Sequence, residues 1–279
     1  MKPEAHSRSI CPVIDFDAYL NRIGLHAEDS PTWELIHRAQ ATTIPFENLD
    51  SQQGIPVSLR PVDLERKLVT ARRGGYCFEQ NLLLAFALKQ VGLQVEPMLA
   101  RVRVGGPPSE ARVTGHLVLR VTDDEGQQWL ADVGFGMGTL LDPIPFEPSG
   151  PHTQSGWTFQ LVRDQVELVL QTIVEGGWSD VYSFNPTPVS MIDIEVSNWW
   201  ICTNPSSPFV SGLIACRSYA NGRRDLICDW SGQLEVKSIT PNGVTATKAT
   251  RDSIPSLLAE RFGLPGFAID QSGRIVCSE

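Results

Sequence analysis

From Leu82 to Leu88 the chain carries only Leu, Ala and Phe, so this segment has to be a helix enclosed by protein on nearly every side. The residues that lead into it are Arg73-Gly74-Gly75-Tyr76-Cys77-Phe78-Glu79-Gln80-Asn81, which put Cys77 in the helix's first turn. Backbone N–H groups without intrahelical partners, together with the positive end of the helix dipole, favour an anion at that position. The two glycines are expected to supply backbone freedom and to let a substrate come close. A sulfur held this rigidly can act as a nucleophile if a base lies near it.

Five histidines could supply that base. His6 belongs to the terminal stretch, His26 to a helix end, His37 to an amphipathic helix and His152 to a Gly/Pro/Ser loop. His116 opens the alternating run His116-Leu117-Val118-Leu119-Arg120-Val121, a strand by its period. The next strand pattern, Gln128-Trp129-Leu130-Ala131-Asp132-Val133, carries Asp132 near its end. Antiparallel pairing of the two would bring carboxylate to imidazole, giving a triad in the order Cys, His, Asp. In such a triad the ring takes the thiol proton and the carboxylate fixes its tautomer.

The rest of the chain sorts by hydrophobic period. Asp15 caps a helix with Phe16, Tyr19, Leu20 and Ile23 on one face and Gly24 as its stop. Ser30-Pro31 reads as the opening of a second helix through Trp33, Leu35 and Ile36, and a third is expected over roughly 62–70. Past Leu93 the period becomes two: strands at 100–104, 116–121, 128–133, 157–162, 166–174 and 181–184 are separated by turns such as Gly105-Gly106-Pro107-Pro108 and Asp123-Asp124-Glu125-Gly126. Strands at 211–218 and 234–239 and a helix at 253–262, closed by Gly263, finish the chain. The helices up to Gly92 read as a bundle that carries Cys77, and the short strands in succession after it as an antiparallel barrel or sandwich that carries His116 and Asp132.

A formal charge of −9 argues against a nucleic-acid surface. One basic island stands against that balance: Arg101, Arg103, Arg112 and Arg120 with a single acid, Glu110, read chiefly as a solvated strand edge. Six cysteines form no C-x-x-C pair, which disfavours a metal site, and an N-terminus without a secretory apolar stretch points to a reducing cytoplasm. No apolar run reaches the ~20 residues of a membrane span.

Three further segments sharpen the reading: Pro45-Phe46-Glu47-Asn48-Leu49-Asp50, Asp132-Val133-Gly134-Phe135-Gly136 and Thr203-Asn204-Pro205-Ser206-Ser207-Pro208-Phe209. With the cysteine motif they resemble the arylamine N-acetyltransferase family, in which R-G-G-[YFW]-C-x-E-x-N precedes a histidine and then D-V-G-F-G. Cys202, where the family has serine, and Met137, where it has a second glycine, depart from the pattern. The resemblance implies an α+β fold in three parts, a helical bundle over 1–92 with the nucleophile, an antiparallel β-barrel over 93–209 with His116 and Asp132, and an α/β lid over 210–279, with a papain-like cysteine site. It also implies a two-step transfer of acetyl from acetyl-coenzyme A to an arylamine, arylhydroxylamine or hydrazine through an acetyl-cysteine at Cys77. It implies Phe135 and Phe209 in the acceptor pocket, and Gly136, Thr139, Thr203 and Ser207 near coenzyme A. Arg22, Glu47 and Arg73 are read as structural support, with the Glu held between two arginines. Acetyl-coenzyme A would be a co-substrate with no permanently bound cofactor or metal, the protein a monomer or homodimer in the cytoplasm without nucleic-acid or membrane partners.

The order Cys, His, Asp also suits a transglutaminase-like or papain-like acyl enzyme, and a macrolactam-forming amide synthase. A binding protein with an idle triad is a third possibility.

Overall fold

The computed structural model describes residues 14–106, 112–229 and 233–278. His6, Cys11, Pro107, Pro108 and Glu110 lie outside them.

Asp15 caps the first helix, Phe16–Ile23, by accepting the Ala18 N–H, and Gly24 closes it at φ 79°. The second helix, Trp33–Thr43, begins later than its Ser30-Pro31 signal. Thr32 is the N-cap, its hydroxyl accepting the Leu35 N–H, while Ser30 ends a short 3-10 turn, Ala27–Asp29, at φ 45°. The expected third helix is a single α turn, Pro61–Leu64, running into a π-helical stretch, Glu65–Thr70. The cysteine helix spans Cys77–Gln90 and buries every residue from Cys77 to Leu88 except Phe86, which is half-buried. Each of Leu83, Leu84 and Leu88 removed from water contributes about 1.5–3 kcal/mol, which is why this helix is the axis on which the other parts pack.

Eight antiparallel strands follow as one sheet. Their order is Ile144–Pro145, Gln128–Ala131, His116–Thr122, Gln94–Val102, Gly177–Phe184, Glu167–Val174, Trp157–Asp164 and His152–Gln154. The two end strands are not paired with each other, so the barrel is nearly closed. Its tight hairpins have local causes: Glu175 and Gly176, both at positive φ (51° and 81°), make the two-residue turn that matches strand twist. The His116 strand is buried on both faces. Leu117, Leu119 and Val121 pack with the helical core, whereas Val118 joins Met98, Leu130 and Phe184 inside the barrel.

A five-stranded antiparallel sheet closes the molecule in the order Phe46–Glu47, Ile214–Ser218, Arg224–Cys228, Glu235–Thr240 and Gly243–Lys248. Its first strand comes from the helical part of the chain, so Glu47 is fixed to a late strand, with Glu47 opposite Ala215. The helix Ile254–Phe262 packs on this sheet through Ile254, Leu258 and Phe262 and ends at Gly263, φ 68°, as expected. The helix Met191–Thr203 has no counterpart in the sequence reading. Ser190 and Asp193 form its capping box, and Ile194, Asn198, Ile201 and Cys202 are its buried face.

Of the basic island, Arg103 pairs with Glu167 at 3.0 Å and Arg120 with Glu96 at 2.8 Å; both are half-buried, on or just past interior strands of the sheet and not at a solvated strand edge. Cys77, Cys202, Cys216, Cys228 and Cys277 are free thiols.

Candidate active site

Strand register makes the first contact. Leu119 faces Ala131 and Arg120 faces Leu130, so Asp132, just past its strand, lies diagonal to His116 on the same side of the sheet. His116 Nε2 is 2.8 Å from Asp132 Oδ2. The other carboxylate oxygen accepts from Asn81 Nδ2 and from the Gly134 N–H, each at 2.9 Å. Burial pushes the Asp132 pKa up, but His116, Asn81 and the Gly134 amide outweigh it and hold the carboxyl below its usual range.

Cys77 reaches the same place from the cysteine helix. Its Sγ is 3.7 Å from the carbonyl oxygen of Gly115, the residue before His116. Gly134 lies against the helix start: a Cβ there would stand 2.8 Å from Cys77 Cα. With Nε2 committed to Asp132, the ring nitrogen left for the sulfur is Nδ1. Burial works to lower the His116 pKa, yet Asp132 and then Cys77 raise it further, to about 10. A cysteine, a histidine and a carboxylate are thus brought together in chain order, all buried, an arrangement that would allow proton transfer from sulfur to imidazole.

A family model described as N-acetyltransferase matches residues 31–266. The chain belongs to the arylamine N-acetyltransferase family. The arylamine N-acetyltransferase of Mycolicibacterium smegmatis is 40% identical over 208 residues, which cover 72% of this chain and 75% of that protein. The Salmonella typhimurium arylamine N-acetyltransferase / N-hydroxyarylamine O-acetyltransferase is 35% identical over 208 residues, covering 74% and 73%. The structure of Mycobacterium marinum arylamine N-acetyltransferase in complex with CoA is similar with a TM-score of 0.83 at 30% identity, over 90% of this chain and 93% of that one.

In this arylamine N-acetyltransferase fold two residues support the triad without having been singled out from sequence. Asn81, one helical turn after Cys77, donates to Leu117 O (2.6 Å) and Asp132 and accepts the Val133 N–H (3.0 Å), tying both strands to the helix. A polar residue inside an otherwise apolar, buried helix is the signal that could have marked it. His37 accepts the Asp132 N–H at Nε2 and bonds the Leu141 carbonyl through Nδ1, both at 3.2 Å. Burial lowers its pKa to about 4, so it is a neutral brace.

The support group differs from its expected form. Arg73 does pair with Glu47, at 2.8 Å, and its other terminal nitrogen with Asp50, at 2.6 Å. Arg22 does not pair with Glu47. Its guanidinium donates to the carbonyls of Leu68 (2.8 Å), Arg73 (3.3 Å) and Arg72 (3.4 Å), holding the loop that leads to Cys77. The second cation is Lys67, 2.7 Å from Glu79, 2.8 Å from Asp50 and 4.0 Å from Glu47. Glu79 in turn caps the Tyr76 N–H at 3.1 Å. Two cations serve three carboxylates here. Glu79 is pushed up to about 7, by burial first and with Glu47 and Asp50 adding to it against the pull of Lys67, while Lys67 itself is held charged.

The glycines before Cys77 also differ in purpose. Neither has positive φ. A Cβ on Gly74 would collide with the Pro45 carbonyl, and one on Gly75 would lie 2.8 Å from Glu79 Oε2. They are small because protein, not substrate, comes close.

Phe135 lies edge-on to the His116 ring at 4.9 Å, with Tyr182 5.0 Å from the same ring. Phe209 stands edge-on to Tyr76 and Phe46, at 5.6 and 5.8 Å. Gly136, φ 75°, shares the loop with Thr139, which is buried. Ser207 is fully buried, its hydroxyl donating to Ile201 O and accepting the Phe209 N–H; the Thr203 hydroxyl donates to Trp199 O. Both hydroxyls are therefore occupied by their own chain. An opening of about 490 Å³ leads to Gly115, between Arg101 and Arg112 on one side and Trp200 and Ile201 on the other. Among the described residues no helix is long and apolar enough to cross a membrane.

Proposed function

We propose that Cys77 is the acetylated nucleophile, His116 its general base and acid, and Asp132 the group that orients His116. The observation that carries the reading is the 2.8 Å bond between His116 Nε2 and Asp132, made beside a cysteine at the start of a buried helix. The Cys77 sulfur attacks the thioester carbonyl of acetyl-coenzyme A, giving acetyl-Cys77 and free coenzyme A. The amine nitrogen of an arylamine, the hydroxylamine oxygen or amine of an arylhydroxylamine, or a hydrazine nitrogen then attacks that acetyl group, and His116 manages the proton in each step. Aromatic amines suit such a site because they are unprotonated near neutral pH.

The 490 Å³ opening at Gly115 is the approach for both reactants. Phe135, packed on the imidazole, and Phe209 form the aromatic side of the acceptor pocket. Gly136, Thr139, Thr203 and Ser207 serve coenzyme A through backbone groups, since the Ser207 and Thr203 hydroxyls are engaged. Glu47, Arg73 and Arg22 hold the cysteine loop in place. The protein works in the cytoplasm, as a monomer or homodimer, and needs no permanently bound cofactor. Initial rates test the mechanism: varying acetyl-coenzyme A at several fixed amine concentrations should give parallel double-reciprocal lines, and intersecting lines would rule out the acetyl-enzyme route.

A further inference from the structure

Behind the cysteine loop is a second pocket, of about 240 Å³, lined by Arg22, Arg72, Arg73 and Arg217 together with the Gly263-Leu264-Pro265 turn. Four arginines line it in a chain whose overall charge is −9. Arg73 is neutralised by Glu47 and Asp50. Among the described residues Arg22, Arg72 and Arg217 have no carboxylate partner: Arg22 bonds only backbone carbonyls, and Arg217 lies over the Tyr219 ring at 5.2 Å with its Nε buried and without a hydrogen bond. Carbonyl bonds satisfy donors but leave the net charge in place, and like charges gathered at a partly buried site repel. The mutual effect is visible at Arg22, which is 5% exposed: burial, then Arg72, then Arg217 lower its pKa to about 10. Arg72 is held at φ 52°, a conformation that L residues seldom adopt and that tends to be kept where it serves a purpose.

We propose that this pocket is a binding site for a small oxyanion, a phosphate or carboxylate group, which joins the cysteine loop to the C-terminal segment. Arginine donors in a fork geometry match such oxygens. The volume is below the ~300 Å³ at which pockets for drug-sized ligands begin, which suits a free anion or the terminal group of a larger one. The site is separate from the acyl-transfer chemistry, so binding, not turnover, reports on it.

Isothermal titration of the full chain with inorganic phosphate, with glycerol 3-phosphate and with sodium chloride at matched ionic strength tests the proposal. Phosphate should bind saturably and raise the melting temperature where chloride does not. Arg217→Gln, a substitution at a half-buried position, should weaken phosphate binding by about tenfold, and Arg72→Gln, at an exposed one, should weaken it in the same direction. Binding of both phosphates supports an open site that accepts an ester; binding of inorganic phosphate alone supports an enclosed one. The proposal is overturned if phosphate acts no differently from chloride, or if both variants bind phosphate as the wild type does.

Discussion

Replacing Asp132 by Asn keeps the side-chain volume and removes the charge. The two N–H donors at Oδ1, from Asn81 and Gly134, oblige the new amide to turn its oxygen toward them and its NH2 toward His116. His116 Nε2 must then accept, which moves the ring proton to Nδ1, the nitrogen that has to receive the thiol proton. The same change removes the charge that raises the His116 pKa. Burial already acts downward as the strongest influence, so the pKa should fall from about 10 to its ordinary 6.5 or below. That interval corresponds to about 5 kcal/mol of lost preference for the imidazolium, and a loss on the order of 10³- to 10⁴-fold in kcat/KM follows from it. Coenzyme A release in the presence of an arylamine measures turnover, and the rate of Cys77 alkylation by iodoacetamide at pH 6.5 should drop with it. Stability gives an independent check. A histidine raised in the folded state adds stability that is complete below pH 6.5 and lost as pH rises through about 10, so variant and wild type should differ most at and just below pH 6.5 and converge above pH 10. An Asp132→Asn enzyme within tenfold of wild type in both turnover and alkylation would refute this reasoning.

Glu47→Ala leaves Arg73 with one carboxylate and frees the Leu49 N–H, which Glu47 accepts at 2.7 Å; a loss of about 3–5 kcal/mol in urea unfolding is expected, and unchanged folding with unchanged turnover would remove Glu47 from its supporting role. Glu79, raised to about 7 from 4.5, adds stability that is complete below pH 4.5 and lost as pH rises through 7. Glu79→Gln should therefore flatten the stability curve between pH 5 and pH 8 by up to about 3 kcal/mol, and equal slopes for variant and wild type would count against this. Gly134→Ala drives a methyl against Cys77 Cα, backbone that cannot swing aside; thermal unfolding should report a loss of about 1–3 kcal/mol and activity should fall further than stability does, whereas wild-type kinetics would show that the contact relaxes freely.

The cluster of Cys77, His116 and Asp132 was legible because each member sits at an element boundary that the sequence marks. Gly74-Gly75 precedes an unmistakable apolar helix, His116 begins an alternating strand, and Asp132 ends the next one. The run of antiparallel strands was legible from period and turns, such as Asp123 to Gly126, which fitted a barrel or a sandwich alike; the family resemblance pointed to the barrel. Two things were not. Met191-Ile192-Asp193-Ile194-Glu195-Val196 alternates apolar and acidic residues as a strand would, yet it is helical, because the Ser190/Asp193 cap starts a helix there. Tyr76 Oη and the Val57 carbonyl then anchor Asn198 on its buried face. Pattern alone weighs the exposed Ile192, Val196 and Trp199 like core residues, whereas here they face outward. The cation beside Glu47 was assigned to Arg22 instead of Lys67, since charge pairing between distant segments leaves no periodic trace. Lys67 also enters the group from a π-helical stretch, which shifts side-chain direction away from the α pattern.

The account stands on the sulfur of Cys77 carrying the acetyl group between two reactants. Intact-mass spectrometry after brief mixing with acetyl-coenzyme A, without amine, examines that directly: the wild type should gain one acetyl group, released on adding an arylamine, and Cys77→Ser should gain none. A wild type whose mass stays unchanged, or a Cys77→Ser protein that is acetylated equally, would contradict it.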